Sequence, residues 1–379
     1  MASTYLSKTF AQAGNRRTFT ISYWIKMGYV STGADGAIMG AAQDGSNSDD
    51  LYIHTGRLNF SGYYGSTAYQ VRTTAKYRDT NGWYHHVIRF DSTQSTASDR
   101  LRLYVNGELQ TALDNNTYPS QNLETTYFNT ARLHTIGSIA HSAPNLPFNG
   151  SMSHFHFCDG YSYGADSFGS TDSTTGEWKI NTSPSVTYGT NGFFILKDGN
   201  SVTDQSGQGN NWSVGGGTLT KTEDCPSNVF NTNNPLITQS ANGNHSYGNT
   251  NWSTGAASWR MCIGNIGATS GKYYAECQVY GSGGNVHWMN GICSLDQNMT
   301  HTNQYAGGDS GKLGASYNWD GQKYVNGSNA NYGASYGNND IIGIAMDLDN
   351  RKLYFSKNGT WQNSGVPTSG STGTGAIDI

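Results

Sequence analysis

Much of the chain consists of short runs in which apolar and polar residues alternate, the pattern of a strand with one buried face. In LRLYVNGEL (101–109), every second residue of the first five is apolar. Asn106-Gly107 follows, and both residues tolerate the positive φ that a tight type I′ turn requires. RKLYFSKNGTW (351–361) repeats the arrangement with Asn358-Gly359. The pattern therefore predicts two β-hairpins far apart in the chain.

Strand-like runs recur along most of the sequence, and turn residues separate them at short intervals, which is typical of β-sandwiches. Between about 160 and 235 the sequence is instead rich in Gly, Ser and Thr, with one clear strand, GFFILKD (192–198). We therefore predict an all-β protein with two antiparallel jelly-roll sandwiches, at residues 1–160 and 241–379. Residues 161–240 are expected to form a loop-rich connector, with one or two strands that pack on the first sandwich.

Composition excludes several classes of protein. No apolar run reaches even ten residues, which argues against membrane insertion, and aromatic residues make up 12% of the 379, which argues against disorder. The net charge of −4 comes with no basic stripe, so nucleic-acid binding is not expected. The five cysteines include no CxxC pair and favour buried free thiols over a zinc site. The N-terminus lacks the apolar core of a secretory signal.

Two longer motifs resemble known domain families. GWYHHVIRFDST (82–93) with LRLYVNGEL, and FNGSMSHFHFCDG (148–160), resemble the central and closing strands of laminin-G-like, concanavalin-A-like domains. SGKYYAECQV (270–279) and DIIGIAMDLDNRKLYFSKNGTW (340–361) resemble the SPRY domain. Both families are jelly-roll-type sandwiches, which accounts for the recurring hairpin. SPRY domains usually carry further strands after it, so this resemblance implies missing last strands and an edge that is open or filled by a neighbouring chain.

The order of segments resembles the large structural proteins of tailed bacteriophages. The resemblance lies in YLSKTFAQAGNRRTFTISYWIKMG (5–28), FGSTDSTTGEWKI (168–180) and EDCPSNVFNTNNPL (223–236), together with the two domains. It implies a protein of the virion surface, assembled in the host cytoplasm, as a tail fibre, a tail-tip component or a capsid-mounted fibre. The implied partners are other virion proteins, further copies of the chain, and a glycan or protein of the host surface.

An enzymatic activity is not expected. Glycosidases of the concanavalin-A-like fold need two carboxylates across the sugar bond. The chain has five glutamates, and none lies in the Glu-x-Asp-x-x-Glu spacing of such a strand. We therefore expect a non-enzymatic protein that contributes structural attachment and adhesion. The alternatives are a free carbohydrate-binding lectin or adhesin and, less favoured, a glycan depolymerase.

Tyrosines surrounded by Gly, Ser and Asn are typical of surfaces that recognise sugars or proteins. Candidate binding residues are Tyr63, Tyr64 and Tyr69 in the first sandwich and Tyr305, Tyr332 and Tyr336 in the second. Covering the edge of a core is the alternative role of these rings. DGSNSDD (44–50) places Asp44, Asp49 and Asp50 on one predicted loop, a candidate calcium site, with a solvated turn as the favoured alternative. No other cofactor is expected.

Overall fold

The structure, a computed structural model, describes residues 4–28, 34–140, 144–197, 201–238, 243–254, 259–281, 287–294, 305–308 and 313–379. The chain forms two compact units. Unit 1 comprises Met1–Phe230 and Ser246–Asn251, and unit 2 comprises Asn231–His245 and Trp252–Ile379. Both consist of antiparallel sheets, so the prediction of an all-β protein is confirmed. None of the described helices is long and apolar enough to cross a membrane.

Two large sheets make up the sandwich of unit 1. One has the strand order β10-β6-β5-β4-β3-β11-β1-β18, and the other has the order β17-β14-β2-β7-β8-β9. The strands are β1 (Tyr5–Thr9), β2 (Thr18–Met27), β3 (Ala34–Asp44), β4 (Asn47–His54), β5 (Arg57–Tyr64), β6 (Thr67–Thr73), β7 (Tyr84–Asp91), β8 (Leu101–Val105), β9 (Glu108–Leu109), β10 (Leu113–Thr117), β11 (Leu133–Ile136), β12 (Ile139–Ala140), β13 (Pro144–Asn145), β14 (Gly150–Asp159), β15 (Gly169–Thr171), β16 (Trp178–Ile180), β17 (Phe193–Ile195) and β18 (Ser213–Gly216); α1 is Ala97–Arg100, and a 3₁₀ turn spans Ala165–Ser167.

Strand alternation builds the core between these sheets. On β2, Phe19, Ile21, Tyr23 and Ile25 point inward and are completely buried. Stacked and edge-to-face rings fill the centre, as Phe19 does against Phe90 at 4.8 Å. The tight turns are as the sequence predicts, with Asn106 and Gly107 at φ 48° and 85° between β8 and β9.

A third layer covers the outer face of the six-stranded sheet. Val87 of β7 and Cys158 of β14 point away from the main core, yet both are fully buried. They form a second apolar cluster with Phe168, Tyr188 and other residues between 163 and 194. The predicted connector is therefore largely a packed layer of unit 1.

Trp178 fixes this layer to the sheet. Its Nε1–H donates to Nδ1 of His85 at 3.0 Å, and the indole stacks on that imidazole. Because Nδ1 accepts this bond, Nε2–H of His85 is the donor to the hydroxyl of Ser22, at 2.9 Å. Burial lowers the pKa of His85 to about 3, so the ring is neutral and every ring nitrogen is paired.

Unit 2 contains a five-stranded and a four-stranded sheet. The larger has the order β23-β28-β29-β30 with β31 also paired to β29, and the smaller has the order β24-β25-β26-β27. The strands are β19 (Asn233–Thr238), β20 (Gly243–Ser246), β21 (Asn251–Thr254), β22 (Cys262–Gly264), β23 (Lys272–Gln278), β24 (Met289–Cys293), β25 (Gly314–Asn318), β26 (Gln322–Val325), β27 (Ser328–Asn331), β28 (Ile341–Asp347), β29 (Lys352–Lys357), β30 (Thr360–Trp361) and β31 (Ile377–Asp378); 3₁₀ turns span Gln362–Ser364 and Gly370–Thr372. Its core includes Tyr317, Ile342, Leu353 and Phe355.

The edge of β29 is not open, contrary to the expectation that the last strands are missing. After the Asn358-Gly359 turn, β30 pairs with the end of β29. The chain then returns through two 3₁₀ turns, and β31 pairs with the start of the same strand. Ile377 of β31 is almost completely buried in the core beside Leu353. The chain thus supplies its own pairing partners for both ends of β29.

Candidate functional site

A groove lies on the outer face of the eight-stranded sheet of unit 1. On β4, Asp49, Leu51 and Ile53 point into the core, so Asp50 and Tyr52 point outward. The groove has a volume of about 450 Å³. We call it the sheet groove; its lining includes Ser48, Asp50, Tyr52, His54, Ser61, Tyr63, Thr67, Gln70, Ile139 and Leu146.

Side-chain amides and hydroxyls form a continuous chain of hydrogen bonds across the floor. Asn115 of β10 donates to Gln70 of β6 at 2.8 Å, and Gln70 donates to Asn59 of β5 at 2.8 Å. Asn59 in turn donates to the hydroxyl of Ser61 at 3.2 Å. The side chains of Ser61 and Gln70 also hydrogen-bond to Tyr52. These bonds hold the polar groups in fixed positions, as a pre-organised binding surface requires.

Asp50 is the acidic residue among the described side chains that line the groove, and its carboxyl group is only partly paired. Oδ2 accepts from the hydroxyl of Ser48 at 2.5 Å, whereas Oδ1 is buried without a hydrogen-bond partner. Burial raises the pKa of Asp50 to about 7, with a further contribution from the charge of Asp49. The lining of the groove thus includes a carboxyl group with one oxygen that no described protein group pairs.

Tyr63 is the predicted binding residue that lines the sheet groove. Its ring is 41% exposed, near one end of β5. Tyr52 and His54, further along β4, add two partly buried rings to the same face. An exposed ring beside fixed polar groups can stack on the apolar face of a sugar while its hydroxyls are hydrogen-bonded.

Tyr64 and Tyr69 are not among the residues that line the groove, and the expected position on a binding surface is wrong for the buried Tyr69. The hydroxyls of both donate to Oδ1 of Asp49, at 2.6 and 2.7 Å. The backbone N–H groups of Tyr127 and Phe128 donate to Oδ2 of the same carboxylate. Tyr69 is completely buried, because the alternation of β6 turns it inward. Together these residues form an internal polar junction between β4, β5, β6 and the segment around residue 127.

The structure does not assemble Asp44, Asp49 and Asp50 into a calcium site. Asp44 ends β3, whereas Asp49 and Asp50 are consecutive residues of β4 and point to opposite faces. Asp44 accepts from the backbone N–H of Ser46 and the amide of Asn47, which is a turn. The four donors around Asp49 occupy its oxygens. Among the described residues, no group of three or more His, Cys, Asp or Glu is arranged to hold a metal ion.

In unit 2, Tyr332 and Tyr336 belong to the core, so the prediction of exposed loop rings is wrong for both. The hydroxyl of Tyr336 donates to the carbonyl of Tyr317 at 2.7 Å. The hydroxyl of Tyr332 accepts from the N–H of Phe355 at 3.1 Å. Tyr305 is half-buried and packs against Trp259 and Tyr324. The structure therefore does not bring the six predicted tyrosines together.

The sequence analysis did not identify Tyr52, Ser61 and Gln70 as site residues. All three follow from alternation once β4, β5 and β6 are paired, because they occupy outward positions on adjacent strands. The run DDLYIH (49–54) could have indicated Tyr52, because the apolar residues Leu51 and Ile53 mark the inward face and leave Tyr52 on the outward face.

Comparison with known proteins identifies two domains in the chain. Residues 2–161 match the family described as the concanavalin A-like lectin/glucanases superfamily. Residues 270–376 match the SPRY domain family. The chain contains both domains. The first includes the whole sheet groove, and the second includes most of unit 2.

Individual proteins match more distantly. A stretch of 102 residues, 27% of this chain, is 34% identical to the ATP-dependent RNA helicase DDX1 of Xenopus laevis, and the chain spans only 12% of that relative. Domains LG4-5 of the mouse laminin alpha1 chain are 9% identical, covering 95% of this chain and 74% of theirs, with a TM-score of 0.33. The Ruminococcus gnavus IT-sialidase CBM40 bound to alpha2,3 sialyllactose is 15% identical, covering 38% and 87%, with a TM-score of 0.27.

Proposed function

We propose that this protein binds carbohydrate through the sheet groove, as a non-enzymatic component of a bacteriophage virion surface. The observation that carries the binding proposal is the difference between the two sheets of its first domain. The six-stranded sheet is covered by the layer that contains Trp178, whereas the eight-stranded sheet carries the groove. The match of residues 2–161 to a superfamily of lectins and glucanases supports a saccharide as the ligand.

Binding without cleavage is supported by the charges in the groove. Hydrolysis by the usual glycosidase mechanisms takes two carboxyl groups roughly 5 to 10 Å apart. Among the lining residues whose side chains the structure describes, Asp50 is the single one with a carboxyl group. Binding is also proposed to need no calcium, since hydroxyl, amide and carboxyl groups of the groove can contact sugar hydroxyls directly.

The test of groove binding is a glycan array with the purified protein, followed by calorimetry on the glycans that bind. Tyr63→Ala is expected to weaken binding at least about tenfold, through lost stacking. Tyr161→Ala is the matched control, because Tyr161 is also 41% exposed but follows β14 of the other sheet. Equal affinity of the two variants would contradict groove binding. Excess EDTA is expected to leave affinity unchanged, and the bound glycans are expected to remain uncleaved.

The virion role is supported by the resemblance of segments 5–28, 168–180 and 223–236 to tailed-phage structural proteins. In this role the protein would be a tail fibre, a tail-tip component or a capsid-mounted fibre, would contact other virion proteins and further copies of itself, and would bind the host surface. Electron microscopy of particles labelled with an antibody against this chain tests it. Label on the tail or the capsid is the expected result. Unlabelled particles would favour the alternative, a free lectin or adhesin.

A further inference from the structure

Two arginines share one aspartate beside the sheet groove. Nε of Arg72 lies 2.6 Å from Oδ1 of Asp114, and Nε of Arg57 lies 3.2 Å from Oδ2 of the same carboxylate. All three side chains are between 22% and 26% exposed, so solvent and ligands can reach them. Two positive charges against one negative charge leave this cluster with a net charge of +1. We call it the arginine pair.

Strand register places the arginine pair next to the groove floor. Tyr52 of β4 is opposite Asn59 of β5, and Asn59 is opposite Arg72 of β6. Neighbouring strands are about 4.8 Å apart, so Tyr52 and Arg72 are separated by roughly 10 Å along this row. Arg72 also follows Gln70 by two positions and therefore shares its outward face. The pair continues the floor of the groove beyond Tyr52.

Charge along the face changes sign across Tyr52. Burial has the largest effect on the pKa of Tyr52 and raises it. The negative charge of Asp50 raises this pKa further, and the positive charge of Arg72 lowers it. Tyr52 thus has an acidic neighbour two positions before it on β4 and a cationic neighbour in the same row two strands away. A ligand that lies along the groove over Tyr52 meets a hydrogen-bond acceptor at the Asp50 end and a cation at the Arg72 end.

Arg72 retains unused hydrogen-bond donors. Its Nε is engaged by Asp114, but neither terminal Nη group has a partner among the residues that the structure describes. Free Nη groups in a plane form the fork that matches the oxygens of a carboxylate or a sulfate.

We propose that the sheet groove selects anionic saccharides. This inference rests on the proposed function and specifies its ligand class. Hydroxyls of one sugar are bound at Asp50, Ser61 and Gln70. A carboxylate or sulfate on the same or the next sugar is bound by the free Nη groups of Arg72, with Arg57 adding charge. Both kinds of candidate ligand carry an oxyanion on a sugar ring that is rich in hydroxyl groups.

The experiment uses matched pairs of oligosaccharides that differ only in charge. One arm compares uronate oligosaccharides with their methyl esters, and the other compares sulfated galactan oligosaccharides with their desulfated forms. Affinities for the full-length protein are measured by calorimetry at low and high salt. The charged member of at least one pair is expected to bind at least about tenfold more tightly, an advantage that decreases at high salt. A preference in the uronate comparison identifies a carboxylate as the bound anion, and a preference in the galactan comparison identifies a sulfate.

Three variants distinguish recognition from a structural role. Arg72→Gln is expected to remove the preference for the charged member and to leave the affinity for the neutral member unchanged. Asp114→Asn keeps the side-chain shape and raises the net charge of the cluster to +2. It is expected to bind the charged member roughly two- to fivefold more tightly, which a loss of folding could not produce. Arg102→Gln, at a half-exposed arginine of β8 on the other sheet, is the control and is expected to have no effect.

Equal affinity for charged and neutral members of every pair would overturn this inference. So would a charge preference that persists in Arg72→Gln. Neither result would affect groove binding, provided that Tyr63→Ala still weakens binding at least about tenfold. If no saccharide of any charge binds, the proposed function itself fails, and this inference fails with it.

Discussion

Lys26 and Asp224 are 198 positions apart in the sequence, yet Nζ of the lysine lies 2.8 Å from Oδ2 of the aspartate and both side chains are buried. Nε1 of Trp83 and the backbone N–H of Phe230 donate to the same carboxylate, at 3.1 and 2.9 Å. The pair attaches the segment around residue 224 to β2. It explains why that segment belongs to unit 1 although its sequence reads as a linker.

Replacing Asp224 by Ala is expected to lower the free energy of unfolding of unit 1 by about 3 to 5 kcal/mol, because the buried Lys26 would lose the carboxylate that compensates its charge. Urea unfolding followed by tryptophan fluorescence measures this. Asp99→Ala is the control: it breaks the half-exposed pair with Arg102 and is expected to cost less than about 1 kcal/mol. Equal effects of the two substitutions would show that burial of the Lys26 pair has no special role.

Gly107→Ala is expected to destabilise unit 1 through its contact with Trp178. Gly107 has φ of 85°, and a Cβ there would clash with the indole ring of Trp178. The backbone penalty is about 1 kcal/mol, and the clash is expected to add at least about 1 kcal/mol. Gly359→Ala isolates the backbone effect, since Gly359 has φ of 79° in a matching turn and no atom within 4 Å of the added Cβ. Equal costs at the two positions would mean that Trp178 moves freely.

Acid is expected to destabilise unit 1 because it contains buried neutral histidines. Burial lowers the pKa of His86 from 6.5 to about 3. Below pH 6.5 the unfolded chain binds a proton that the folded chain does not, so the free energy of unfolding falls as the pH falls toward 3. Between pH 7 and pH 5 His86 alone is expected to account for about 2 kcal/mol.

His86→Phe tests this contribution. The ring remains, but the titrating group is lost together with the contact between Nδ1 and the hydroxyl of Tyr23. The variant is expected to be less stable than the parent at pH 7 and to lose about 2 kcal/mol less on going to pH 5. Parallel stability curves for parent and variant would contradict the assignment.

Asp50 has the opposite pH dependence. Its pKa is raised from 3.8 to about 7, first by burial. Between these values the folded chain retains a proton that the unfolded chain has lost, so this contribution to stability is complete below about pH 4 and disappears as the pH rises through 7. Asp50→Asn is expected to be more stable than the parent at pH 8 by roughly 2 kcal/mol, about half of the full value because water reaches the groove.

Unfolding curves at pH 4 and pH 8 measure the effect. The advantage of Asp50→Asn is expected at pH 8 and not at pH 4. A variant with the same advantage at both pH values would show that the gain comes from packing or hydrogen bonding and not from the charge of Asp50.

Local patterns in the sequence account for the turns and the strand faces. Asn106-Gly107 and Asn358-Gly359 adopt the positive φ values that their residue types predict. The inward position of Tyr69 was also available from alternation, since Tyr69 and Val71 form one face of β6. The Gly and Ser residues around Tyr69 had instead favoured a position on a binding surface.

Other features depend on contacts between residues that are distant in the sequence, and the neighbouring residues do not predict them. Trp178 lies in a stretch rich in Gly, Ser and Thr, and only the position of His85 on a distant strand shows that it is a packing residue. Tyr332 and Tyr336 have the same loop-like surroundings, and their rings are buried by β25 and β29. The arginine pair likewise arises from three strands whose register the sequence does not reveal.

The division of the chain between its units has a consequence for any attempt to exchange them. Residues Ser246–Asn251 belong to unit 1 although Asn231–His245 before them belong to unit 2. Within this returning segment, the side-chain amide of Asn249 is buried and donates to the carbonyl of Thr80 at 3.2 Å. A single crossover near residue 231, whether made by recombination or in a chimera, would separate unit 1 from its own returning segment. Unit 1 is therefore kept intact only when Ser246–Asn251 is transferred together with Met1–Phe230.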